Sequence, residues 1–148
     1  MKPTLGVVLA AGKGTRMQSD LPKVLVPVCG RPMIRYVVDA LRAAGIERIV
    51  VVVGYQADKV RRELEGEPAV EFAEQREQFG TGHAVMMCRA QIASHHEEYR
   101  GGATLVVTGD SPMLQPLSIE ALISDFNQTV PGCLLGTAHH DSPHGLGR

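Results

Sequence analysis

The run RIVVVVG at 48–54 constrains the fold more than any other stretch of this chain. Four successive valines leave no polar face. A strand that is apolar on both sides must be covered on both sides, which is the condition of an inner strand in a largely parallel sheet. Two further apolar runs share this character: TLGVVLA, predicting a strand over Thr4–Ala10, and ATLVVTGD at 103–110, which ends on an acid. A shorter run, AVEFAEQ at 69–75, reads the same way. Between them lie helical patterns. RPMIRYVVDALRAAG at 31–45 places Met33, Ile34, Val37, Val38 and Leu41 at helical spacing, with Pro32 near its start and Gly45 at its end. QADKVRRELEG predicts a charged surface helix closed by Gly66. GHAVMMCRAQIASH at 82–95 predicts one helix after a glycine turn, LSIEALISDFNQT at 117–129 another, and GCLLGTAHH at 132–140 a last strand.

Strands alternating with helices give βαβ units, a mostly parallel sheet and helices on both faces: an α/β, Rossmann-like three-layer α/β/α fold. The 148 residues suit one domain over 1–148, and 44% hydrophobic residues with only 4% aromatic ones imply an aliphatic core. A net charge of −1 argues against a nucleic-acid partner or a membrane-surface binder. No run approaches the roughly 20 apolar residues of a bilayer span, so no membrane insertion is expected. The apolar stretch near the N-terminus is short and ends in Gly-Lys-Gly-Thr-Arg, unlike a secretory leader. Cys29, Cys88 and Cys133 are scattered and odd in number, which suits a reducing cytoplasm.

In open α/β sheets, ligands sit at the carboxyl ends of the strands. Three unusual segments fall there: the loop at 11–16, EQREQFGTG at 74–82, and TGD at 108–110. In the first, Gly12 and Gly14 can take positive φ and let backbone N–H groups approach a ligand, a geometry that cradles phosphate. Lys13, Arg16 and Lys23 could add positive charge. The loop is no Walker A motif, because Gly14 follows Lys13, and no complete dinucleotide fingerprint, because Met17 stands where the third glycine belongs. Lys23, between Pro22 and Pro27, is expected on an ordered loop rather than a helix. Asp110 reads either as a cation ligand or as a turn former before Ser111-Pro112. His83 is expected to hydrogen-bond locally, and no zinc site is expected from His95-His96 or His139-His140.

The stretch LAAGKGTRMQSDLPKVLVPVCGRPMI resembles the signature of the sugar-1-phosphate nucleotidyltransferases, and the whole set is most similar to their N-acetylglucosamine-1-phosphate uridylyltransferase branch. EQREQFGTGHAV, VVTGDSPML and DSPHGLGR follow in the same order, and the similarity extends over essentially all of the chain. Thr108 departs from it, standing where a bulkier residue is expected. The resemblance implies a nucleotide-diphospho-sugar transferase (GT-A-like) fold, cytoplasmic, and transfer of a nucleotidyl group from an NTP to a sugar-1-phosphate with release of pyrophosphate. It implies UTP and N-acetylglucosamine-1-phosphate as substrates and Mg²⁺ as cofactor. Leu9, Ala10, Ala11, Gly12, Gly14 and Thr15 would hold the nucleotide. Gln75 and Gln78 would lie at the base, with Gly80 and Thr81 closing over it. An amide offers both a donor and an acceptor to a uracil edge. Arg16 and Lys23 would be the catalytic cations on the triphosphate, Asp110 the metal ligand, and Gly145 a main-chain sugar contact.

Measured against that pattern, the chain stops at Arg148 inside the domain. It is therefore expected to be incomplete at its C-terminus, with further sugar contacts and a second metal ligand lying beyond. Apolar sheet edges left open in this way leave room for a homo-oligomer. Two alternatives stay open on the residues alone. One is a binding module that holds a nucleotide or nucleotide-sugar without turnover. The other is the same chemistry on glucose-1-phosphate with UTP or dTTP.

Overall fold

A computed structural model describes residues 3–14, 19–100, 102–137 and 141. Thr15, Arg16 and Gly145 lie outside the described residues, as do 138–140.

The core is a four-stranded parallel sheet of β1 (Thr4–Ala10), β4 (Arg48–Val53), β5 (Val70–Glu74) and β6 (Ala103–Thr108), in the order β5-β4-β1-β6. Val7 pairs with Val50 on one side and Val106 on the other. The valine run behaves as its composition requires, because Ile49 and Val50 to Val53 are all fully buried. Alternate side chains go to opposite faces. Val8, Ala10, Ile49, Val51 and Val53 pack on one side against α1 (Met33–Ala43), α2 (Ala57–Glu63) and α5 (Pro116–Thr129). Leu5, Val7, Val50, Val52 and Ala73 pack on the other against Ala84 of α3 (Thr81–Met86) and Ile92 of α4 (Arg89–Glu98). The result is the three-layer α/β/α arrangement.

The five α1 residues named from spacing are all buried, and Gly45, at φ 80°, ends the helix. Between β1 and α1 the chain makes a small antiparallel hairpin, β2 (Pro27–Val28) and β3 (Arg31–Pro32). Cys29 and Gly30 form its two-residue turn with φ of 50° and 80°, which is the positive-φ pair that such a turn requires. Among the described residues, no helix is long and apolar enough to cross a membrane.

Three expectations are corrected. The predicted single helix at 82–95 is two helices, α3 and α4, broken at Met87-Cys88. Cys88 is completely buried and turns the chain with φ −91° and ψ 8°, and Ala84, Cys88 and Ile92 all pack on the sheet. Burial pushes its thiol up to about 11, making it a packing residue rather than a nucleophile. The predicted strand at 132–140 does not form over 132–137. There Leu134 and Leu135 are both exposed, and Gly136 rests against Leu122 of α5 instead of pairing with the sheet. Lastly, Lys23, expected on an ordered loop rather than a helix, opens a turn of 3-10 helix at Lys23–Leu25, closed by Leu25 N–H to Pro22 O at 2.8 Å.

The strand order places the functional edge. The chain leaves β1 through α1 to β4, continues outward through α2 to β5, then crosses back through α3 and α4 to β6. The order reverses between β1 and β6, and their carboxyl ends open a crevice at that switch point.

Candidate functional site

The loop after β1 is pinned from two directions. Ala11 O accepts the Tyr55 N–H at 3.0 Å and the Gln78 Nε2–H at 2.8 Å. At the tip of β4, Gly54 is wedged between the two walls. A Cβ there would come within 2.8 Å of Gln75 O and 2.9 Å of Ala11 Cβ. Gly54→Ala should therefore force the walls apart. We expect it to destabilise the protein by about 1–3 kcal/mol and to weaken nucleotide binding. Urea midpoints and nucleotide titrations check this; an unchanged midpoint would contradict the wedge.

Lys23 is placed by its neighbours. Val24 and Leu25 are buried and anchor the 3-10 turn. Gly14, at φ 67°, lies so close beneath Lys23 that a Cβ on it would stand 2.6 Å from Lys23 Cβ. Of the two loop glycines, Gly14 thus needs both its positive φ and its missing side chain. Gly12 has no positive φ, and open space surrounds it.

Lys23 Nζ forms an ion pair with Asp110 Oδ2. Asp110 follows Gly109, whose N–H donates to Leu9 O at 2.9 Å and whose bare Cα fits against Val24 and Val8. Partial burial acts to raise the Asp110 carboxyl, but hydrogen bonds from Lys23 and Thr108 and the nearby ammonium charge outweigh it. The net result is a carboxyl held below its ordinary range.

Gln75 is 4% exposed, a rare environment for a glutamine. Its Nε2 donates to Gly80 O at 3.1 Å and lies 3.0 Å from His83 Nδ1. Both amide hydrogens are thereby committed to shaping the Gly80-Thr81 turn, and the side-chain carbonyl is left for a ligand. His83 also meets Phe79 edge-on, with ring centroids 5.2 Å apart, so its local role is as expected.

These groups enclose a cleft of about 310 Å³ at the strand ends. Leu9, Ala11 and Gly12 form one wall, Gln75, Gln78, Gly80 and Thr81 the other, and Lys23 and Asp110 complete it. Ala10 and Gly14 do not line it: the Ala10 side chain belongs to the α1 face of the core, and Gly14 lies under Lys23. Val24 and Ala84 also line the cleft and were not expected as site residues, and Thr108, of the TGD segment, lines it too. Val24 adjoins Lys23 in the sequence and Ala84 closes the GTGHA run, so proximity to motifs was the signal for both. Among the described residues, no three His, Cys, Asp or Glu side chains form a metal cluster. A larger depression of about 470 Å³, on α3 and α4, is apolar and has no strand-end residue in its lining.

A family model described as "MobA-like NTP transferase domain" matches residues 6–145. The chain is 41% identical over all 148 residues to "Bifunctional protein GlmU" of Listeria monocytogenes serotype 4a (strain HCC23), covering 31% of that protein. It is 47% identical to "Bifunctional protein GlmU" of Symbiobacterium thermophilum, again over 148 residues and covering 30%. The chain thus spans about a third of the length of the curated relatives it matches. Among solved structures, a nucleotidyl transferase from Methanothermobacter superposes with a TM-score of 0.65 at 25% identity, over 82% of this chain and 57% of that one. HddC from Yersinia pseudotuberculosis, complexed with GMP-PN, superposes with a TM-score of 0.58 at 26% identity, over 74% of this chain and 48% of that one.

Proposed function

This chain belongs to the MobA-like NTP transferase family, and from that premise we propose that its strand-end cleft transfers a nucleotidyl group from UTP to N-acetylglucosamine-1-phosphate. The observation that carries the reading is the Lys23–Asp110 ion pair at the switch-point crevice, beside the Gln75 and Gln78 wall. In-line attack by a sugar-1-phosphate oxygen on the α-phosphorus forms one P–O bond and breaks the bond to the β-phosphate, releasing pyrophosphate. Both reactants are anions, so the protein's task is charge neutralisation and alignment, with no covalent nucleophile.

Lys23 has three donors on a compact charge and can follow the triphosphate. Arg16 is the second cation of this reading. Leu9, Ala11 and Gly12 hold the nucleotide along the β1 loop, and the missing Gly12 side chain leaves room for it. The fixed Gln75 amide offers its carbonyl to the N–H of a uracil, while Gln78 keeps one N–H and its carbonyl beyond the bond to Ala11. Asp110 is the residue that would hold a divalent cation. A single carboxylate beside phosphates suits Mg²⁺, which takes one or two carboxylates and completes its shell with phosphate oxygens and water. That a cation, the Lys23 ammonium, already rests on this carboxylate supports the fit. When bound, Mg²⁺ supplies neutralising charge on the triphosphate. Gly145 is the sugar-side contact of the same reading. The three cysteines are free, as a cytoplasmic setting would have them.

The test is pyrophosphate release by the purified 148-residue protein with Mg²⁺, each NTP in turn and either N-acetylglucosamine-1-phosphate or glucose-1-phosphate. Nucleotide binding is followed in the same samples. Release with UTP and the N-acetylated sugar above an Asp110→Ala control is the expected result. Preference for glucose-1-phosphate or dTTP would move the substrate and keep the chemistry. Neither binding nor release from folded protein would overturn the reading.

A further inference from the structure

The cleft wall at Ala11 and the turn that carries Lys23 stand at the two ends of one connection, and two consecutive residues from elsewhere grip both ends. Tyr55 and Gln56 lie between β4 and α2. The Tyr55 N–H donates to Ala11 O at 3.0 Å, and the Lys13 ammonium stands 5.3 Å from the centre of the Tyr55 ring. Gln56 Nε2 donates to Asp20 O at 3.0 Å and to the Tyr55 hydroxyl, also at 3.0 Å. Only Leu21 and Pro22 separate Asp20 from Lys23. The Pro22 ring locks its own φ, and the Leu21 N–H donates to Ser19 Oγ at 3.2 Å. A hold on Asp20 is thus passed to Lys23 through a short, stiff link.

Local structure does not account for Gln56. It sits at φ 49° and ψ 45°, a left-handed conformation that glycine adopts freely and other residues only under strain. It precedes α2, yet its side chain caps none of that helix's N–H groups. Its Oε1 is buried with no hydrogen-bond partner among the described residues. The amide cannot turn round to relieve this, because the Asp20 carbonyl only accepts and must face the –NH₂ group. Glycine would suit the backbone better and leave no buried oxygen unpaired. What glutamine alone supplies is the bond across to Asp20, and strain held in this way is found where a site must be kept in one arrangement.

We propose that Gln56, braced by Tyr55, is a positioning residue for Lys23: by tying Asp20 to the strand end that pins Ala11, it fixes where the Lys23 ammonium stands relative to the nucleotide wall. This rests on the assignment of Lys23 to the triphosphate. Gln56 is not among the residues that line the cleft, and it acts through Lys23 alone.

The experiment is a pair of equilibrium titrations of the protein in Mg²⁺, one with UTP and one with uridine, which offers a base and a ribose but no phosphate for Lys23. Gln56→Met keeps the length of the side chain and deletes the donor. Gln56→Gly deletes it and also frees the backbone. Both should weaken UTP binding about 10-fold, within the range of coupling between members of one connected network, and leave uridine binding unchanged. In a Lys23→Ala background neither should weaken UTP binding further. The urea midpoint of Gln56→Gly should hardly move, because relief of the left-handed strain offsets the lost bond. Wild-type UTP affinity in Gln56→Met would overturn the proposal. So would an equal loss for uridine, or a loss that persists in full without Lys23, either of which would make Gln56 a support of the wall instead. A loss in Gln56→Met with none in Gln56→Gly would put the effect on the backbone and overturn it too. If Lys23→Ala by itself bound UTP as tightly as wild type, the assignment of Lys23 to the triphosphate would fall, a result read before any Gln56 variant is made.

Discussion

Lys23→Ala is expected to lower turnover by about 100- to 1,000-fold, the loss found when one pre-placed charge or donor is taken from a site where charge develops. Fold stability should hardly change. The Lys23–Asp110 pair is partly exposed, at 43% and 25% of the two side chains, and such pairs contribute about 0–1 kcal/mol. The large effect on rate and the small effect on stability separate a chemical role from a structural one. A second signature follows from the geometry. In the nucleotide-free protein the Lys23 ammonium occupies the Asp110 carboxylate and competes with any divalent cation for it. Lys23→Ala should therefore bind Mn²⁺ more tightly than wild type without nucleotide, while being far slower with it. Steady-state pyrophosphate release and metal titration together decide this. Turnover within 3-fold of wild type would remove Lys23 from the chemistry.

Asp110→Asn is the second substitution with a large expected effect. It keeps the size of the side chain and removes the charge proposed to hold the cation. Turnover should fall by at least about 100-fold, and raising Mg²⁺ should recover little of it. Retention of Mg²⁺-dependent activity near wild type would refute the metal assignment. The substitution also has a consequence at low pH. In the folded protein the Asp110 carboxyl lies below its ordinary value of 3.8, whereas in the unfolded chain it returns to that value. The stability it contributes is present above the unfolded value and is lost as pH falls through the lower folded one. Asp110→Asn should therefore flatten the acid limb of the stability profile and leave the neutral region nearly as it was. Thermal midpoints between pH 7 and about 3 show whether it does.

Much of the fold could be read from the sequence because its strands are extreme. TLGVVLA and RIVVVV have one physical solution, burial on both faces, and β1 spans Thr4–Ala10 as predicted. The α1 stripe was legible for the same reason: Ile34, Val37, Val38 and Leu41 leave a single face to bury. The failures fall where tertiary contacts decide. No glycine or proline marks the break at Cys88, and Ala84, Cys88 and Ile92 have the spacing of one face of an unbroken helix, so the local pattern reads as continuous. GCLLGTAHH has strand-like residues, but a strand needs a neighbour, and over 132–137 the segment pairs with none, with Gly136 against Leu122 of α5 and Leu135 exposed. In the site, the charged pair was visible as types and positions, because Lys23 and Asp110 each follow a distinctive run. What Gln75 does was not. An amide near a glycine turn reads as a base contact, and the structure adds that Gln75 is buried and spends both amide hydrogens on Gly80 and His83, which leaves its carbonyl as the group available for such a contact. That arrangement depends on the fold bringing 75, 80 and 83 together, which no local pattern encodes.

Asp110 follows β6, which among the described residues is hydrogen-bonded on one side only, to β1. Outer strands of this kind open at a lower free energy than the interior does. Among the described residues β1 and β4 are the inner strands of this sheet and β5 and β6 its two rims, so the cleft joins a β1 loop that is firmly held to walls that follow a rim strand on either side. Being folded and being competent are consequently two different populations. Lifting β6 would take the carboxylate with it and would uncover Leu105 and Val107, which pack on the α1 side of the core. If Asp110 holds the cation as proposed, whatever covers β6 should set the share of folded molecules that can act, without touching the cleft.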